Sequence, residues 1–168
     1  MKKVLLTSII ALVTVVGAIA QTTSNVAVTA TVQDALTLTP TAIAFGAIQA
    51  GQVSYIQANG NDATTQTNLG VGATAGSLQI QGTTGADVTV SWANGVLTDA
   101  SDANPITFTP AVYGASQVTS GSDVTITGGD ITLGVGGSLA SIANAGTYST
   151  ANAGGATPVV FTVQYASI

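Results

Sequence analysis

The chain has 168 residues, a formal net charge of −5, no His and no Cys, and its only basic side chains are Lys2 and Lys3. Charged residues make up 5% of it and all seven acids are Asp. That balance excludes phosphate neutralisation by a basic surface, zinc, haem or iron–sulfur ligation through His or Cys, and catalysis by Ser-His-Asp or Cys-His groups.

The chain begins with Lys2 and Lys3, runs through apolar Val4–Ile19 and reaches Ala18-Ile19-Ala20 before polar Gln21-Thr22-Thr23-Ser24. A basic start, a short apolar centre and small residues at the −3 and −1 positions predict a secretory signal peptide over 1–20, with Ala18 and Ala20 marking cleavage after Ala20. The apolar run is shorter than the roughly 20 residues that span a bilayer, and no basic stop follows it. The remainder, 21–168, is expected to be one domain, secreted by way of the periplasm to the cell surface or medium, with no membrane span once the signal is removed. It lacks disulfides, so backbone pairing and apolar burial must stabilise it.

From Gln21 onward the pattern is strands and turns. Val26, Val28, Ala30 and Val32 alternate on one face. Ala35–Leu38 continues this after Gln33-Asp34, and Pro40 is read as its stop. Ile43–Phe45 and Gln52–Ile56 are short apolar runs, and Asn59–Gly76 reads as a long turn or exposed hairpin. Leu78–Ile80 and Val88–Trp92 alternate around a Gly82–Gly85 turn. Ile106–Tyr113 alternates again. Val124–Ile126 and Ile131–Leu133 flank Thr127-Gly128-Gly129-Asp130, a strong hairpin signal. Pro158–Tyr165 closes the chain with Phe161, Val163 and Tyr165 on one face. β-branched residues dominate these runs and no helical period appears. About nine or ten short strands predict an all-β, antiparallel, immunoglobulin-like sandwich; a parallel β-helix is the rival, without a fixed-period repeat to support it.

The runs Leu36–Leu38, Phe45-Gly46-Ala47-Ile48 with Gly51, Leu78–Gly82, Gly129–Leu133, Val135–Leu139, and Gly146-Thr147-Tyr148 leading to Phe161–Tyr165 together resemble a secreted bacterial family, domain of unknown function 4402. The pattern is also similar to the spore coat protein U domains of archaic chaperone–usher pili, in which an early strand precedes a Phe-Gly turn and an alternating strand with a late aromatic ends the chain. Two features depart from that pattern: the spore coat family usually carries cysteines, and Ser149–Thr157 intervenes before the last strand. The resemblance implies a pilin-like fold, self-association into a filament, and a periplasmic chaperone and an outer-membrane usher as partners.

The terminal strands are the sharpest candidate site. Neither Val26–Val32 nor Val159–Tyr165 carries a charge, whereas sheet edges are commonly blunted with one. Val26, Val28, Ala30 and Val32 on one side and Phe161, Val163 and Tyr165 on the other are therefore candidate assembly strands, joined by strand exchange between neighbours; the alternative is that both pair inside one closed sandwich. Asp99, Asp102 and Asn104 form a weak calcium candidate, against which Asx residues commonly serve local turn bonds. Trp92 lies on the Val88/Val90 face and reads as core, and Tyr55, Tyr113 and Tyr148 lie near strand ends. Gly134, Gly136 and Gly137 read as a turn or bulge. No enzymatic activity and no cofactor are expected. The expected role is a pilin-like structural subunit; the alternative is a monomeric secreted module binding a glycan or surface polymer.

Overall fold

The computed structural model describes residues 32–99, 104–152 and 154–166. The signal peptide with Ala18 and Ala20, the run Val26, Val28 and Ala30, and Asp102 lie outside the described residues. Within them the chain is all-β, with eleven strands: β1 (Thr37–Thr41), β2 (Ser54–Ile56), β3 (Gly76–Gln81), β4 (Asp87–Trp92), β5 (Gly95–Asp99), β6 (Ile106–Tyr113), β7 (Gln117–Val118), β8 (Ser122–Thr125), β9 (Asp130–Leu139), β10 (Tyr148–Ser149) and β11 (Phe161–Tyr165). They form two antiparallel sheets. The larger runs β1-β3-β9-β6-β5-β10, with β2 added to β9 and β7 to β6; the smaller is β11-β4-β8. This is the expected sandwich class.

Alternation of apolar and polar residues sets which face is inside. Leu78 and Ile80 on β3 and Val88 and Val90 on β4 are buried, and they meet Val112, Ile126, Leu133 and Val135 between the sheets. Each such side chain contributes about 1.5–3 kcal/mol by leaving water. A second cluster, Ile106, Phe108, Leu139 and Ile142, fills the other end. Phe45 stands edge-on to Phe108 there, with ring centroids 5.8 Å apart.

The Thr127–Asp130 signal makes its turn but not its hairpin. Thr127 bridges to Asp130 across Gly128 and Gly129, whose φ angles of 74° and 97° a side chain would resist. The flanking strands then part: β8 pairs with β4 in the small sheet, and β9 with β3 in the large one. The Gly82–Gly85 turn does the same between β3 and β4. The two turns lie side by side, with Gly82 N–H donating to Gly129 O and Ile126 N–H to Ala86 O. Together they form one corner at which a paired ribbon passes from sheet to sheet. Four residues, 83–86, face three, 126–128, and this one-residue surplus bends the ribbon.

A second corner carries β4 into β5. Phe161 pairs with Trp92, and Thr157 with Val96, in one unshifted register. Tyr148 and Ser149 pair with Asp99 and Thr98 further along the same edge of β5. The segment between Ser149 and Thr157 is therefore an excursion from a single line of pairing, and it leaves the closing strand in place.

Two sequence expectations are corrected. Pro40 does not stop its strand but sits within β1, opposite Leu78. A proline is tolerated there because, among the described residues, β1 is an edge strand with one side unladdered. Gly134, Gly136 and Gly137 are neither a turn nor a bulge: the β6–β9 register runs unbroken from Phe108↔Leu139 to Tyr113↔Gly134. Glycine is needed because a neighbouring backbone crosses β9. A Cβ on Gly136 would lie 2.3 Å from Ile56 O, and one on Gly134 would lie 2.4 Å from Ala58 O.

Candidate functional site

The four terminal strands of the two sheets differ in how they end pairing. β1 contains Pro40, β10 is two residues long, and β8 carries Asp123. β11 has no charge, no proline and no bulge, and among the described residues its outer side has no ladder.

Main-chain parity gives that edge its polarity. Gly121 N–H donates to Val90 O, so Val88 and Val90 direct their backbone groups to β8. Ala166 N–H donates to Asp87 O, so Thr162 and Gln164 direct theirs to β4. The N–H and C=O groups of Phe161, Val163 and Tyr165 therefore point to the open side.

The side chains of Phe161, Val163 and Tyr165 share the inner face, as expected, and the three are half-buried while Thr162 and Gln164 are exposed. Their partners Val88 and Val90 on β4 are 0% exposed. The difference has a plain cause: among the described residues β4 has a neighbour on each side and β11 has one. On the facing sheet, Leu38 pairs with Ile80 and so shares its inward face, yet remains 37% exposed.

At the start of β11 lie two adjoining cavities of about 560 and 330 Å³, to which β11 contributes Phe161 alone. Ile43, Phe45, Leu97 and Tyr148 line both. The smaller one opens between Pro40 of β1 and Phe161 of β11.

At the far end of β11 the Tyr165 hydroxyl donates to Asp34 O at 2.7 Å and accepts from Thr83 N–H at 2.9 Å. Asp34 N–H in turn donates to Thr83 Oγ1 at 2.7 Å. Val32, the one described member of the early alternating run, lies two residues upstream and is 89% exposed.

The other candidates are placed differently. Asp99 ends β5, is 8% exposed, and its carboxylate accepts the Thr147 N–H. Gly146 packs against that carboxylate closely enough that a Cβ would collide with it. Asn104 is exposed. Among the described residues no group of three or more His, Cys, Asp or Glu is arranged to hold a metal. Trp92, expected in the core, is half-buried at its margin, where it leans on Phe161 with ring centroids 5.7 Å apart.

One buried acid escaped sequence reasoning. Asp62 is 2% exposed and accepts Tyr55 O–H at 2.7 Å, Ala58 N–H at 3.1 Å and Thr64 N–H at 3.0 Å. Burial works against its charge, but the bonds from Tyr55, Thr64 and Ala58 outweigh it and hold the pKa below the ordinary carboxylate value. Burial, reinforced by Asp62, pushes the Tyr55 hydroxyl up. Asn59 and Asn61 fasten the same loop to Gly114 O. The signal was the Asn-Gly-Asn-Asp run, which turn statistics alone read as an open loop.

No family model and no curated protein matches this chain. No helix among the described residues is long and apolar enough to cross a membrane.

Proposed function

We propose that this chain is a secreted structural surface protein, a pilin-like subunit with an immunoglobulin-like sandwich, assembled by strand exchange. The alternating segment Val26–Val32 of one copy adds to the open side of β11 in the next. Backbone bonds to Phe161, Val163 and Tyr165 supply affinity, and its valines extend the half-buried apolar face that those three side chains begin. Repeated head to tail, that contact extends as a filament.

The observation that carries this reading is the outer side of β11: uncharged, unladdered among the described residues, and backed by three half-buried apolar side chains. The similarity in pattern to pilin domains supports it and adds the chaperone and usher as proposed partners. Negative-stain microscopy of the exported protein tests it. Filaments are expected, and deletion of Thr22–Val32 is expected to abolish them. A protein that stays monomeric and binds on a glycan array overturns the reading in favour of a binding module.

A further inference from the structure

Two Asn-Gly pairs lie among the described residues, Asn59-Gly60 and Asn94-Gly95. An asparagine before glycine is open to attack by its own chain: the glycine nitrogen closes on the side-chain carbonyl carbon and the amide leaves as ammonia. Closure needs a glycine nitrogen free of other bonds and a main chain free to bend toward the side chain. At Asn94 the side chain is free and the nitrogen is not. Asn94 is exposed, and its amide bonds to no described residue. Val96 exchanges both main-chain bonds with Thr157, so Gly95, one residue earlier, turns its N–H to β6, opposite Phe108. Gly95 is also buried against Val159.

At Asn59 the situation is reversed. Gly60 is exposed, its N–H bonds to no described residue, and a Cβ there would have nothing within 4 Å. The side chain is what is held. Asn59 Nδ2 donates to Tyr113 O at 2.9 Å and to Gly114 O at 3.3 Å, and its Oδ1 accepts Asn61 N–H at 2.9 Å. Asn61 Nδ2 donates to Gly114 O at 2.7 Å. These bonds fasten the loop that crosses β9 at Gly134 and Gly136 to the end of β6.

We propose that Asn59 is a self-modification site that makes a release of this loop permanent. When the side chain leaves Tyr113 and Gly114, Gly60 N gives up its proton and bonds to Asn59 Cγ. The Cγ–Nδ2 bond breaks, and Nδ2 takes up a proton and departs as ammonia. Water then opens the five-membered imide at either carbonyl, leaving aspartate or isoaspartate at position 59. Water is the one co-reactant, and no step depends on strand exchange. Neither product can fasten the loop again. Nδ2 was the donor to both carbonyl oxygens, and a carboxylate in its place is set against Tyr113 O and Gly114 O, three residues from the buried Asp62. Isoaspartate also lengthens the main chain by one carbon, in the turn that Asp62 N–H closes on Asn59 O at 3.1 Å.

The test holds the full-length protein in mildly alkaline buffer and follows peptic peptides by mass spectrometry for the amide-to-acid mass gain and for isoaspartate. Conversion is expected at Asn59 ahead of Asn94. Asn61→Ala, at an exposed site, removes the second tether to Gly114 and is expected to speed conversion at Asn59 about fivefold, the scale of one hydrogen bond. Gly60→Ala, which the open space accepts, is expected to abolish conversion at Asn59. In converted protein, amide exchange at Ala58 and Thr64, whose N–H groups donate to Asp62, is expected to become fast, whereas in Gly60→Ala after the same incubation it stays slow. Conversion at Asn94 first, an unchanged rate in Asn61→Ala, or converted protein in which Ala58 and Thr64 still exchange slowly overturns the proposal.

Discussion

The two outer strands of the small sheet flank the same central strand and are built to opposite ends. On β8, Asp123 projects from the outer surface and accepts a hydrogen bond from Thr89 Oγ1 at 2.6 Å, while Thr125 Oγ1 donates to Asp87. The strand is four residues long, and one of its outward-directed backbone positions carries a charge. On β11, five residues carry none, and three half-buried apolar side chains lie behind the open backbone groups. One side is protected against pairing by the usual device of a charge; the other keeps what pairing requires. The lesson is that an edge must be judged by its backbone parity, its charges and the core behind it taken together.

The largest expected effect comes from breaking the open side of β11. Val163→Pro removes an N–H that bonds to no described strand, together with a packed side chain. Loss of the outward ladder bond weakens docking and loss of the valine packing weakens the subunit itself, together by about 3 kcal/mol. Filament yield by sedimentation should fall accordingly. Asp123→Pro, the equivalent change on β8, should leave the yield unchanged, since that N–H also points away from β4.

A second variant separates folding from pairing. Asp62→Asn puts an amide where buried donors converge, and should cost about 2–3 kcal/mol in urea unfolding while filaments form from whatever remains folded. The pH dependence follows from the sign of the shift. Asp62 has a depressed pKa when folded, so its contribution is present above the unfolded-chain value and is lost as pH falls through the folded one. Wild-type melting temperature should drop below about pH 4, the ordinary carboxylate range. In Asp62→Asn that part of the drop should be missing.

Smaller effects should come from editing the edges toward each other. Gln164→Lys gives β11 an exposed charge of the kind that blunts edges, and should slow assembly by about fivefold in light scattering, equivalent to about 1 kcal/mol. Asp123→Thr should do the reverse on β8. It should add a weak lateral association, seen as filament bundling, while leaving the melting temperature within about one degree for an exposed site.

The contrast between the edges was only partly legible in the sequence. Strand parity was: Val88, Val90 and Trp92, and Phe161, Val163 and Tyr165, fall on the faces their spacing predicts, because period two is imposed by the pleat. Topology was not. Thr127-Gly128-Gly129-Asp130 specifies a tight turn, but a turn does not say whether its arms pair with one another. Here the arms belong to different sheets because β3 and β4 each offer a longer ladder, and that choice depends on residues some 50 positions away. Gly134 and Gly136 were misread for a similar reason, since their need for an absent side chain comes from a crossing backbone at Ile56–Ala58. Asp62 was hidden because burial of a carboxylate requires donors from Tyr55, Ala58 and Thr64 to converge, and spacing does not show that. The lack of a charge on β11 was plain in the sequence; its open side depended on knowing that β4 is its one described neighbour.

The most direct measurement is residue-resolved amide exchange across β11 in the dispersed and the assembled protein. In the dispersed protein Thr162 and Gln164, whose N–H groups bond to β4, should exchange slowly, and Phe161, Val163 and Tyr165 fast. In the filament all five should be slow, because an added strand takes up the outward groups. An alternating pattern that persists unchanged in the filament would contradict the account.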